Sequence, residues 1–201
     1  MELYYATTNK GKLATLQREL DPYSIKVIQV PLNIPEPRSS DVQEIATKKV
    51  EIAYHSLHKP VAALDAGFYI RALNGFPRAF ANFALETIGI EGILKLMEGK
   101  EGQERSCEFR ECMAYIDSTG DIAAFTKAFV GRVPGTVAKE KRGTKQPHHW
   151  SELALIFIPE GYDRTLAELT SEEYDHWRKN RPESYSASKM FAQWIGKRIG
   201  N

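Results

Sequence analysis

Residues Thr7, Thr8, Asn9, Lys10, Gly11 and Lys12 bring two hydroxyls, a side-chain amide and two ammonium groups into one short turn. An apolar run, 3–6, precedes them, and Leu13, Leu16 and Leu20 follow on one face of a helical pattern. A helix start carries N–H groups with no intrahelical partner and the positive end of the helix dipole. A phosphate chain is held by that combination. An ordinary strand-to-helix turn, capped by Thr8 or Asn9 and flanked by solvated lysines, would use the same residues. The turn is not a P-loop. Ala6 stands where that motif has its first glycine, and Leu13 where it has the metal-binding hydroxyl. Metal ligands for phosphate chemistry must therefore come from elsewhere.

Three further residues fit such chemistry. Glu36 lies between Pro35 and Pro37, in a rigid stretch that fixes a carboxylate yet leaves it accessible, as a hard-cation ligand or as a solvated surface group. Lys48 falls within a second helical pattern, where a lysine also reads as solvent-facing. Asp65 follows the apolar run Val61-Ala62-Ala63-Leu64 and precedes Ala66-Gly67. This reads as a carboxylate at a strand's C-terminal end, before a glycine turn, where α/β proteins bind ligands. A turn-forming Asp has the same local signature.

These groups need a scaffold. Strand-like runs fall at 3–6, 25–30, 61–64, 107–116, 123–133 and 154–158, and helical patterns at 10–20, 41–57, 90–97, 171–179 and 186–199. Ser40, three residues before Gln43, has capping-box spacing for the second helix, with Val42, Ile45, Ala46, Ala53 and Leu57 as core candidates. Strands alternate with helices early in the chain, which favours parallel pairing. The middle strands follow one another directly, which favours an antiparallel hairpin. The expected fold is a single α/β domain over 1–201 with a mixed sheet and flanking helices.

The chain as a whole is ordinary for a soluble globular protein. It has 201 residues, 42% hydrophobic and 26% charged, enough for one large domain or two connected lobes. A net charge of +1 gives no global attraction to nucleic acid or membrane. Cys107 and Cys112 fall on opposite faces of one predicted strand, so they form no disulfide and read as core residues in a reducing compartment. No run is long enough to span a bilayer, and the expected location is cytoplasmic.

Four ordered segments resemble the inosine triphosphate pyrophosphatase family, whose members hydrolyse non-standard purine nucleoside triphosphates. Residues 6–13 resemble its phosphate-binding turn. Residues 71–77, Arg-Ala-Leu-Asn-Gly-Phe-Pro, resemble its "ALNGxPG" segment. Phe129, Gly131, Pro134 and Gly135 with Arg142 and Gly143 resemble its strand and basic loop. Phe157, Pro159, Gly161, Tyr162, Thr165, Ala167 and Glu168 resemble its "FxPxGYxxTxAE" segment. The resemblance implies an elongated mixed sheet with two lobes around a central cleft, commonly a homodimer. It implies that residues 7–12 and Lys48 hold a triphosphate, that Glu36 and Asp65 bind Mg²⁺, and that Asp65 is the catalytic carboxylate acting with Lys12.

The departures concern specificity. Leu64 stands where the family has the first of two adjacent acids, Ala66 replaces a hydroxyl, Arg78 replaces a glycine and Asn82 a lysine. The family's "FGxDP" aligns with residues 151–155 and its "SHR" with 184–186, so the base-reading His and Arg are missing. Trp150 is a candidate to stack on a base and His148 or His149 to bond to its edge, or the three form partly buried surface; Tyr185 is a candidate to donate one hydrogen bond or to pack. His148 with Glu152 also reads as a metal pair. The expected activity is hydrolysis of a nucleoside triphosphate to a monophosphate and pyrophosphate with altered base preference. The alternatives are a nucleotide-binding regulator that has lost catalysis, or a hydrolase of another phosphoanhydride.

Overall fold

β1 (Glu2–Ala6) and β2 (Lys26–Val30) lie parallel, in register from Glu2 opposite Lys26 to Ala6 opposite Val30. α1 (Lys10–Leu20) makes the crossover between them. Its Asn9 N-cap accepts from Lys12 N, and Leu16 and Leu20 are buried, as the leucine spacing predicts. α2 (Val42–Leu57) leads to β3 (Val61–Ile70), which pairs parallel with β1. The computed structural model describes residues 2–34, 37–117 and 126–199. The remaining strands are β4 (Pro77–Arg78), β5 (Ser106–Ile116), β6 (Thr126–Val137) and β7 (Phe157–Pro159). The sheet order is β2-β1-β3-β5-β6-β7, with β4 antiparallel beside β3. The sheet is mixed, as the alternation of elements predicts. The helices of the later chain are α3 (Ala81–Thr87), α4 (Gly89–Leu96), α5 (Ser171–Asn180) and α6 (Ala187–Ile199).

Packing divides the residues into two units, one of 1–66, 111–131 and 186–201, the other of 67–110 and 132–185. In the first, α1 packs against α6, and Val42, Ile45, Ala46, Val50 and Ala53 bury one face of α2. In the second, Phe68, Phe109 and Phe157 form an aromatic group with centroids 4.7–6.2 Å apart, surrounded by Ile70, Ile93, Met97, Val137 and Trp177. Each large apolar side chain so buried contributes roughly 1.5–3 kcal/mol. Arg105 is buried among them, its guanidinium donating to the carbonyls of Met97, Lys100, Val137 and Ala138 at 2.6–3.1 Å.

The structure departs from the sequence-based expectation at several places. β3 does not end at Leu64 but continues to Ile70, so Asp65 lies within the strand, not at its end. Gly67 is there for close approach and not for a turn. A Cβ on it would lie 2.6 Å from the Arg78 carbonyl oxygen of β4. α2 is capped by Asp41, whose Oδ1 accepts from Gln43 N at 2.8 Å, and not by Ser40. Residues 152–155 form a 3₁₀ turn, with β7 starting only at Phe157. Among the described residues no helix is long and apolar enough to cross a membrane, and Cys107 and Cys112 are buried free thiols.

Candidate functional site

The turn after β1 is ordered by its own side chains. Thr7 Oγ1 accepts from Asn9 N at 3.1 Å, and Asn9 Oδ1 accepts from Lys12 N at 3.0 Å. Lys10 and Gly11 open α1, where a helix has no carbonyl one turn earlier to take their N–H groups. The turn thus presents donors to an anion along one chain segment.

Two lysines converge on neighbouring residues of β3. Lys12 Nζ donates to the Leu64 carbonyl at 3.4 Å. Lys49 Nζ lies 2.9 Å from Asp65 Oδ1, and both side chains are largely withdrawn from solvent. Lys48, the lysine singled out from sequence, points elsewhere. It pairs with Glu51 at 3.1 Å and is 57% exposed. The signal for Lys49 was present in the α2 pattern. Counting along the buried face 42, 45, 46, 50, 53, position 49 falls in phase and 48 does not. A lysine on an apolar helix face needs a partner, and Asp65 supplies it.

The surroundings of Asp65 are low in dielectric. The adjacent Cys112 thiol is pushed up to about 12, first by burial and then by the carboxylates of Asp41 and Asp65. Leu64 contributes no ligand side chain. Among the described residues no group of three or more His, Cys, Asp or Glu side chains converges as a metal cage. Glu36 lies outside the described residues. A single described carboxylate suits a hard divalent cation that keeps most of its waters and takes its other oxygens from a ligand.

The remaining predicted residues belong to the second unit. Trp150 is half-buried. Beside it, His148 and His149 stack on each other and on Tyr174 of α5, with centroids 4.3 Å apart for His148 with either ring. His149 Nδ1 accepts from Gln146 N at 3.0 Å. Burial is the first cause of a pKa lowered to about 4, followed by His148 and Lys145. Tyr185 donates its hydroxyl proton to Glu160 Oε2 at 2.7 Å, and that bond raises its pKa. The phenol therefore offers lone pairs, not the donor expected from sequence. In the basic loop, Arg142 donates to the Asp163 carbonyl and lies against Glu168, and Lys139 pairs with Glu101.

The chain is an α/β protein with a mixed sheet, a lysine-bearing helix start after β1 and a buried strand carboxylate. The chain belongs to the Ham1 family, whose model matches residues 3–181. It is 38% identical over 197 residues to a dITP/XTP pyrophosphatase of Methanopyrus kandleri, covering 96% of each chain. It is 34% identical over 196 residues to a dITP/XTP pyrophosphatase of Thermococcus kodakarensis, covering 97% of each. The resemblance drawn from the four sequence segments is thereby borne out. In fold it is similar to the Staphylococcus aureus Ham1 protein, with a TM-score of 0.77 at 23% identity over 98% of this chain and 100% of that one. A Coxiella burnetii HAM1 protein gives a TM-score of 0.75, also at 23% identity, over 100% and 98%.

Proposed function

We propose that this chain is a nucleoside triphosphate pyrophosphatase, hydrolysing its substrate to a nucleoside monophosphate and pyrophosphate. The observation that carries this reading is the convergence of Lys12 and Lys49 on residues 64 and 65 of β3. Residues 7–11 and Lys12 receive the triphosphate through N–H groups, hydroxyls and charge. Asp65 orients the attacking water and takes its proton. Lys12 and Lys49 balance the charge that develops on the pyrophosphate leaving group, the role that the resemblance gave to Lys48. Mg²⁺ held by Asp65 and Glu36 supplies neutralisation of phosphate charge when bound.

The dITP/XTP activity of the curated relatives supports a purine nucleotide as substrate. Trp150 and Tyr185 are assigned to the base. Their chemistry differs from a His-Arg donor pair, which supports an altered base preference among deaminated or modified nucleotides. A homodimer is supported by Phe76, Phe80 and Phe83 of the second unit, which expose 38%, 47% and 65% of their surface around the start of α3. The free buried cysteines support a reducing, cytoplasmic location.

Pyrophosphate release, measured with Mg²⁺ over standard, deaminated and modified nucleoside triphosphates, tests the activity. Turnover of at least one is expected. Nucleotide binding with no turnover would identify a regulator that has lost catalysis, and cleavage confined to non-nucleotide phosphoanhydrides would replace the substrate class.

A further inference from the structure

The two backbone polar atoms of Thr7 are both held by β2. Its N–H donates to the Val30 carbonyl at 3.3 Å, continuing the β1–β2 ladder beyond the strand. Its carbonyl accepts from Gln29 Nε2 at 3.0 Å. The first bond is backbone to backbone and any residue at position 30 other than a distorted one supplies it. The second depends on the side chain of residue 29.

That second bond has a directional consequence. The peptide joining Thr7 to Thr8 is planar, and in a trans peptide the C=O and the following N–H point in opposite directions. Holding the Thr7 oxygen toward Gln29 therefore turns the Thr8 N–H away from it. The Thr7 hydroxyl and the Asn9 amide are occupied with Asn9 N and Lys12 N, so they order the turn along the chain. The Thr7 hydroxyl limits the Thr7–Thr8 plane from within the turn, and Gln29 fixes it from the neighbouring strand through the carbonyl itself. Gln29 is half-buried and sits opposite Tyr5 in the β1–β2 register, on a strand that has no other part in the site.

We propose that Gln29 is a positioning residue for the phosphate turn, setting the Thr7–Thr8 peptide so that the Thr8 N–H joins those of Lys10 and Gly11 on the ligand's oxygens. It touches no substrate atom and acts through the backbone of Thr7. The proposal rests on the reading of residues 7–12 as the phosphate end of the site.

The test compares wild type with Gln29→Leu and Gln29→Glu, using nucleoside triphosphate turnover and calorimetric binding of inorganic pyrophosphate. Loss of one aligned donor to a charged oxygen is expected to raise KM and weaken pyrophosphate binding about tenfold in Gln29→Leu, with kcat changed by less than about threefold. In Gln29→Glu the carboxylate cannot donate to the Thr7 carbonyl until it is protonated. Its pyrophosphate affinity, relative to wild type at each pH, is expected to recover as the pH falls from about 7 to about 4. A structural role alone would lower thermal stability without moving the KM-to-kcat split or producing that pH dependence. KM and pyrophosphate affinity within about twofold of wild type in Gln29→Leu would overturn the proposal while leaving the site assignment standing. If Gln29→Leu does not fold, a flat relative pH profile in Gln29→Glu overturns it equally. A wild-type protein that neither turns over a nucleotide nor binds pyrophosphate overturns the phosphate reading and the role of Gln29 with it.

Discussion

Lys49 Nζ sits 2.9 Å from Asp65 Oδ1, with the two side chains 15% and 8% exposed, and the pair joins the buried face of α2 to the middle of β3. A buried pair is costly to break from one side, because the survivor keeps its charge without its partner, at about 3–5 kcal/mol. Lys49→Ala is expected to lose stability of that order in urea denaturation and at least about 100-fold in turnover. Asp65→Asn is expected to lose nearly all turnover. Measured beside them, Lys48→Ala should cost at least about tenfold less than Lys49→Ala; equal losses in the two lysine variants would remove Lys49 from its assigned role.

The choice between these lysines shows what the sequence could and could not deliver. Adjacent residues on a helix point about 100° apart, so a shift of one residue moves a charge from the core face to solvent. α1 was legible because the Asn9 cap and the leucine spacing agree. β3 was not, because Asp65-Ala66-Gly67 has the composition of a turn. Only the packing of β4 against Gly67 reveals that the glycine serves close approach inside a strand.

Trp150 and Tyr185 make the base assignment testable. Trp150→Ala should raise KM for nucleotides about ten- to a hundredfold, the range expected for one lost base–aromatic stack. Inorganic triphosphate, which has no base, should be unaffected in the same variant. Tyr185→Phe removes the donor to Glu160 and should alter the ranking of bases while leaving stability within about 1 kcal/mol. Identical changes with and without a base would place both residues outside recognition.

Arg105 carries a charge into the second unit with four backbone carbonyls as its partners. Arg105→Met keeps the apolar stem but strands those oxygens, at about 1–3 kcal/mol for each one left unsatisfied. A fall of at least about 3 kcal/mol in unfolding free energy is expected by denaturant titration. A loss below about 1 kcal/mol would mean that water replaces the guanidinium at little cost.

His149 gives the stability of the second unit a pH dependence of known sign. Its folded-state pKa is lowered to about 4 from an ordinary 6.5, chiefly by burial. Between those values the unfolded chain holds a proton that the folded one does not, so stability rises with pH across the window and falls as acid is added. The urea midpoint should therefore drop between pH 6.5 and about 4. His149→Gln, which retains an acceptor for Gln146 N, should flatten that slope; an unchanged slope would assign it to other groups.

The remaining gaps in sequence legibility are of one kind. α3 is hard to see in the sequence because it spans only seven residues, too few for apolar periodicity to separate a helix from a loop. Tyr185 was assigned a donor role because its partner, Glu160, is 25 positions away. Helix and strand periodicity report near neighbours, whereas the direction of a proton between Tyr185 and Glu160 depends on where the fold brings the second group.

Because Asp65 belongs to a ten-residue strand buried almost throughout, its backbone is part of the scaffold. The carboxylate cannot follow different nucleotides by shifting its main chain. Any attempt to retarget the protein to another base should therefore keep residues 61–70 and Lys49 of α2 fixed and diversify the loops instead, since the carboxylate proposed to react and its lysine partner would carry over unchanged to each new pocket.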